Sequence, residues 1–556
     1  MKKFLVFALL GLLSSLFSSL ALAQKNYYVS SSEGSDANNG LTPAAPWASL
    51  ARLKKAKLQP GDTVHLKSGD VFNEQLEIDE SGSESAVIHF TRYGEGELPI
   101  IDGAAAKGGS ALAAISIVDQ DYIEISALNV RNFRRKPIPD IADVNAYGIL
   151  VKNTGKRVLR GFEFHHLVVE DIYPIKAKKS FNQTSVTGIR FETRPAQNKR
   201  NAVNTRDIYI HDNLLRHTAR FGIALRHKPS RLDGVSNTAL DYDVDVRIVN
   251  NRCEDLGGSC VLMNGVWNGL LEHNVFIRSG ALVEPKLSVN RGSGAWFFRS
   301  KNIVAQHNIS TGSRGHNDSA GMHVDFANEN VLVQYNFSYD NEGYGTEILG
   351  KNKNVIWRYN VSVADATRRT NIPRPEGGTS QYPGKTIFVS DFASPKRGVS
   401  TDVFIYNNTY LIASGSDPFI ELNGKHLHLW NNLFVVDQGG RLGKKFNLGW
   451  IGGTGVDMQG NAFAGNVSPN FIQFDQRPLI TQLQFNGDYE DPMTFAISTS
   501  RSDLLDAGVD ISHPDFPAAG QGIFQHITKI PAEDFFKNTL SKGQRLIGAG
   551  IMPGDN

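Results

Sequence analysis

The stretch SAGMHVDFANENVLVQYNFSYDNEGYGTEILG (319–350) sets His323, Asp325 and Glu347 inside short apolar runs broken by Gly and Asn. Glycoside hydrolysis uses one carboxylic acid to protonate the leaving oxygen and a second carboxylate as base or nucleophile. Two carboxylates held close together also push each other's pKa values apart, which an acid–base pair requires. Outward-facing strand residues are ordinarily just solvated. These three gain chemical meaning only if the fold gathers them on one strip.

The elements that would gather them appear as a repeat. Two apolar or β-branched residues at alternate positions, then Asn, then another apolar residue, recur along the chain. The pattern is read in IYIHDNLL (Asn213), VRIVNNRC (Asn251), LLEHNVFI (Asn274), IVAQHNIS (Asn308) and VLVQYNFS (Asn336). It returns in VIWRYNVS (Asn360), VFIYNNTY (Asn408), LHLWNNLF (Asn432) and, more weakly, VDMQGNAF (Asn461). The spacings are 38, 23, 34, 28, 24, 48, 24 and 29 residues, as if a minimal coil were lengthened by loops. Ahead of the Asn motifs lie short strands opening on a small residue: GIRFE (188–192), GIALR (222–226), CVLMN (260–264), GAWFF (294–298), GMHVD (321–325) and GTEIL (345–349).

Short strands, period-2 alternation and Gly or Asn corners fit an all-β chain wound as a parallel β-helix. Each coil would add one strand to each of two or three sheets, rising about 4.8 Å. The asparagines are expected to stack, their amides bonding coil to coil and satisfying buried polar groups. A sandwich would need hairpin turns, and a propeller a steady blade period of roughly 40 residues.

The expected organisation is a signal peptide at 1–23, a cap with the first strand at 24–70, the solenoid at 71–470 and a C-terminal capping segment at 471–556. Lys2 and Lys3, the apolar run and Ala21-Leu22-Ala23 read as a cleavable leader, which implies a periplasmic or secreted protein. PWASLARLKKAKLQPGDTV (46–64) reads as a short capping helix, since a solenoid must cover its open ends.

If the residue after each leading Gly points inward, the second and fourth point out. The outward pairs are then Arg190 with Glu192, Ala224 with Arg226, Leu262 with Asn264, Trp296 with Phe298, His323 with Asp325, and Glu347 with Leu349. Asp325 and Glu347 become neighbours across one ladder step, beside two aromatics that need a cover, and sugar rings are common covers. Asp391, in TIFVSDFAS, is a third carboxylate one coil further. The catalytic set is therefore Asp325, Glu347 and His323. The substrate-binding set is Arg190, Glu192, Arg226, Asn264, Trp296, Phe298 and Asp391, with His323 and Arg226 orienting or charge-stabilising the substrate.

The chain carries 58 basic and 56 acidic residues, and without the leader 56 of each, which disfavours a nucleic-acid binder held by bulk charge. Positive charge is instead local: Arg134, Arg135 and Lys136; Lys176, Lys178 and Lys179; Arg226, His227 and Lys228; Arg368, Arg369 and Arg374. Such loops could rim a groove for an anionic polysaccharide. Cys253 and Cys260 could pair in an oxidising compartment or remain small core residues.

YYVSSSEGSDANNGLTPAAPWASL (27–50), the following LQPGDTVHLKSGDVFNEQLEI, and the tail segments LLDAGVD (504–510) and LIGAG (546–550) resemble secreted right-handed parallel β-helix carbohydrate-active proteins. That superfamily holds polysaccharide lyases and glycoside hydrolases, so the resemblance implies fold more narrowly than reaction. The expectation is an exported, monomeric glycoside hydrolase acting on an acidic polysaccharide through Asp325 and Glu347. It needs no metal or cofactor, with Ca2+ the one ion the chemistry leaves open. A lyase would instead neutralise a uronate and abstract its C5 proton with His323, Arg190, Arg226 or Tyr344. A non-catalytic adhesion β-helix would use the same groove without turnover.

Overall fold

In the computed structural model the described residues are 24–553, apart from 107–109, 178–182, 195–202, 228–236, 285, 375–377, 392–397, 449–454 and 542. The leader and Lys178, Lys179 and Lys228 thus lie outside the described residues. Among those described, three sheets of 14, 12 and 14 strands run the length of the molecule. Strands consecutive in sequence fall in different sheets, except the first two, which pair with each other, and the last two, which do the same. Every pairing of named strands is parallel, for example Thr205–His211 with Asp243–Val249 and that strand with Val266–Glu272. This is the right-handed parallel β-helix the repeat implies.

The corner asparagines build the ladder expected of them. Side-chain amide to side-chain carbonyl bonds of 2.8–3.0 Å link Asn213, Asn251, Asn274, Asn308, Asn336, Asn360, Asn408, Asn432 and Asn461 in order. The ladder ends where Asn461 donates to Asp475 Oδ2 at 2.6 Å. The residue before each of these asparagines, from Asp212 to Gly460, has a positive φ. Asn, Asp and His dominate there because they tolerate the left-handed turn best.

Stacked apolar columns fill the interior. In the 12-stranded sheet, Val151, Phe191, Leu225, Met263, Phe297, Val324, Ile348, Val389 and Leu422 occupy one register position coil after coil, all buried. Each large side chain of this kind contributes about 1.5–3 kcal/mol on burial. Close stacking also explains the leading glycines: a Cβ on Gly188 would stand 2.7 Å from the Gly222 carbonyl oxygen, and one on Gly345 2.7 Å from that of Thr386.

At the N-terminal end, strand Asn26–Val29 already pairs with Thr63–Lys67, and the short helices Leu50–Arg52 and Leu53–Ala56 bury Leu50 and Leu53 over the first coil beside Trp47. Beyond Leu479–Thr481 the chain folds back along the outside of the solenoid. There Leu504, Phe516, Phe524 and Ile547 join a second apolar cluster with Leu270, Val304, Leu332 and Ile356. Cys253 and Cys260 form a buried disulfide. Among the described residues no helix is long and apolar enough to cross a membrane.

Candidate active site

The 12-stranded sheet presents the strip that strand phase demands. Across its ladder Arg190, Ala224, Leu262, Trp296, His323, Glu347 and Phe388 are successive partners. Beside them run Glu192, Arg226, Asn264 and Phe298, with Asp325 next, just past strand Met322–Val324. His323, Asp325 and Glu347 are therefore brought together on the outer face. The acids do not lie on the open face expected from sequence: His323, Asp325 and Glu347 are no more than 5% exposed, while Glu192, Arg226, Asn264, Trp296 and Phe298 are half-buried.

Trp296 Nε1 donates to Asp325 Oδ2 at 3.0 Å and fixes that carboxylate. The indole lies parallel to the His323 ring, 5.7 Å between centroids at an interplanar angle of 8°. One face of Trp296 is thus occupied by protein, and the indole is half-buried. His323 Nδ1 stands 3.5 Å from Glu347 Oε2.

A third acidic group completes the cluster. Asp318 brings a carboxylate oxygen into the group formed with His323 and Glu347, their facing atoms all lying within 4.8 Å of one another. Arg291 clasps it in a two-point contact, Nε to Oδ2 and Nη2 to Oδ1, both 2.9 Å. Arg368 holds the same loop by its backbone, donating to the carbonyls of Asn317 (2.7 Å) and Asp318 (2.9 Å). Arg291 and Asp318 each lie four residues before a strand, Ala295–Phe298 and Met322–Val324, whose first residues are ladder partners. They occupy the same corner on adjacent coils. This equal offset was the available signal for Asp318.

Electrostatics separate the acids. Burial, reinforced by the charges of Asp318 and Asp325, holds the Glu347 carboxyl well above the usual range, although Arg368 and Arg291 oppose the shift. Burial also acts upward on Asp318, but the charge and hydrogen bonds of Arg291, with His323 and Arg368, outweigh it and hold Asp318 low. The two carboxyls are thus pushed in opposite directions, Glu347 upward and Asp318 downward. Glu347 Oε2 is buried with no hydrogen-bond partner among the described residues. As a cation site, Asp318, His323 and Glu347 are compromised by the Arg291 clasp. A second His and carboxylate group, His89, Glu124 and His165, lies in the strands of a different sheet.

Other residues singled out from sequence lie elsewhere. Phe388, not Asp391, is the ladder partner of Glu347; Asp391 lies past the strand end, buried, accepting from Asn423 Nδ2 at 3.3 Å. Arg226 is three ladder steps from His323, so the cations beside the acids are Arg291 and Arg368. Several basic loop residues have partners within the protein. Arg134 is buried and donates to the Ala142 and Asn145 carbonyls, Arg374 pairs with Glu342, and Lys176 with Asp143. Tyr344 lies buried beneath Arg368, 5.1 Å from ring centre to guanidinium, and burial raises its pKa. A cavity of about 260 Å³ bounded by Asn317, Arg368 and Tyr382 adjoins the Asp318 loop.

No family model matches the chain. A lacto-N-biosidase of Bifidobacterium longum subsp. longum is 25% identical over 480 residues, a match covering 73% of this chain and 29% of that protein. The chain thus spans less than a third of that relative's length. Among solved structures, the GH136 lacto-N-biosidase from Eubacterium ramulus superposes with a TM-score of 0.53 and 19% identity, over 83% of this chain and 68% of that one. The fold is a parallel β-helix of the kind that carbohydrate-active enzymes carry.

Proposed function

We propose that the protein is an exported glycoside hydrolase that cleaves a glycan at the buried carboxylates of the 12-stranded sheet. The observation that carries this reading is the gathering of three buried carboxyls around His323: Glu347, the Asp318 clasped by Arg291, and the Asp325 held by Trp296. Burial and the neighbouring acids push the Glu347 carboxyl up, while Arg291 holds Asp318 down. Glu347, its Oε2 otherwise unpartnered, protonates the leaving glycosidic oxygen. Asp325, oriented by Trp296, serves as the second carboxylate on the sugar or on water. Asp318 sustains the proton on Glu347, and His323 positions the Glu347 carboxyl between them. The similarity to proteins named lacto-N-biosidase supports hydrolysis of a glycan. The leader-like N-terminus and the Cys253–Cys260 disulfide support export to an oxidising compartment.

Incubation with a panel of neutral and acidic glycans tests the reading. Hydrolysis is expected to yield new reducing ends without ultraviolet absorbance from a C4–C5 double bond. Unsaturated products would make the protein a lyase, and binding with neither product would leave an adhesion module.

A further inference from the structure

We propose that the strip of the 12-stranded sheet preceding Trp296 is a subsite for the anionic substituent, a carboxylate or a sulfate, of the glycan. The inference rests on the glycan-cleaving reading above and names the substrate class for it. Three arginines meet there. Arg190, in strand Ser185–Thr193, is the ladder partner of Ala224, while Arg226, in strand Phe221–His227, is the partner of Glu192. Arg220 enters from the turn just before that second strand, its guanidinium 4.4 Å from the Phe221 ring, and donates to the Thr184 carbonyl.

Among the described residues Arg190 is under-satisfied. Arg190 is 3% exposed and gives one hydrogen bond, Nη2 to Glu192 Oε2 at 2.8 Å. Its Nε and Nη1 are buried with no hydrogen-bond partner among the described residues. Arg226 shares the same carboxylate, so at least two guanidinium groups lean on Glu192. Burial and the other arginines pull Arg220 down to about 9 and Arg226 to about 10. Buried donors left without an acceptor, as on Arg190, cost free energy that an arriving anion would recover. The planar guanidinium fork matches the two oxygens of a carboxylate or sulfate.

Phe221, Ala224 and Leu262, each no more than 3% exposed, pack with the half-buried Trp296 into one apolar cluster between the arginines and the acids, whose partly open edge is Trp296. Three ladder steps part the Arg226 strand from that of His323, about 14 Å at the usual strand spacing. A chain whose scissile bond lies at Glu347 would lay its next sugars along the open edge of Trp296 and carry a charged substituent to Arg226 and Arg190.

Calorimetric titration of the full-length protein with uronate-bearing, sulfated and neutral oligosaccharides of matched length tests the subsite, alongside product analysis on the same glycans. The wild type is expected to bind one acidic class at least tenfold more tightly than the neutral one, with a preference that added salt weakens. R190Q and R226Q should each lower the acidic-to-neutral ratio about tenfold, and R226K should restore part of it. Equal affinity of the wild type for acidic and neutral oligosaccharides would overturn the subsite, and so would variants that keep the preference. Should the variants fail to fold, the wild-type comparison alone decides. Acidic binding without any cleavage would sink the hydrolase reading and leave the subsite standing; cleavage of neutral glycans without acidic preference would do the reverse.

Discussion

Glu347 carries the chemical claim, and its environment makes two expectations. Replacing it with Gln keeps the shape and removes the proton donor, so kcat should fall by about 10²- to 10⁴-fold, the usual contribution of a general acid. Its stability effect has a definite sign. The folded protein keeps a proton that the unfolded chain releases above about pH 4.3, so Glu347 costs stability as pH rises from there. E347Q should therefore melt at a higher temperature than the wild type at pH 7, and the gap should close below about pH 4; equal melting curves at both pH values would contradict the burial argument. Asp318 sets the alkaline limb of activity. D318N removes a charge that raises Glu347, so that limb should move to lower pH, as a pH profile of kcat would report. His323, Asp325 and Glu347 were legible in sequence because strand alternation alone decides which way they point. Asp318, Arg291 and Arg368 sit in aperiodic corners, where alternation says nothing. Arg134 and Arg368 misled for a related reason: a basic residue in a loop looks solvated until the carbonyls it satisfies are seen.

The asparagine ladder is the element that fixes coil register, and hence the alignment of Trp296, His323 and Glu347. Asn336 accepts from the backbone N–H and side-chain amide of Asn308 at 3.0 and 2.9 Å and donates onward to Asn360 at 3.0 Å. N336A would orphan the buried backbone N–H of Asn308, whose side-chain amide keeps the Leu271 and Gln306 carbonyls, at a cost on the order of 2 kcal/mol. Chemical denaturation should show that loss, and a midpoint equal to wild type would contradict the ladder's structural role. This element was legible almost in full, since a one-residue motif repeated nine times is the strongest signal a solenoid leaves. The loops between coils were not legible. Their lengths were plain from the uneven spacings, but nothing in them revealed that the acids are buried.

At the scale of the molecule, the C-terminal return is part of the solenoid's stability. It covers Leu270, Val304, Leu332 and Ile356, which outward strand phase would otherwise leave to water. A chain ending after Thr481 should expose this stripe, lower the melting temperature and aggregate, as light scattering would show; an equally stable, monodisperse product would make the return dispensable. The sequence marks only where the period fades, because irregular chain packed by scattered Phe and Leu has no repeat to read. Burial of the acids also makes the site one in which the Glu347 carboxyl is pushed up while the neighbouring Asp318 is held down. The most direct test of that arrangement compares E347Q with wild type on two substrates of the glycan class found active. One is the natural glycoside, whose leaving group needs a proton, and the other an aryl glycoside, whose leaving group does not. A large loss on the natural glycoside with little loss on the aryl one is expected; equal losses, or none, would contradict the role of Glu347 as proton donor.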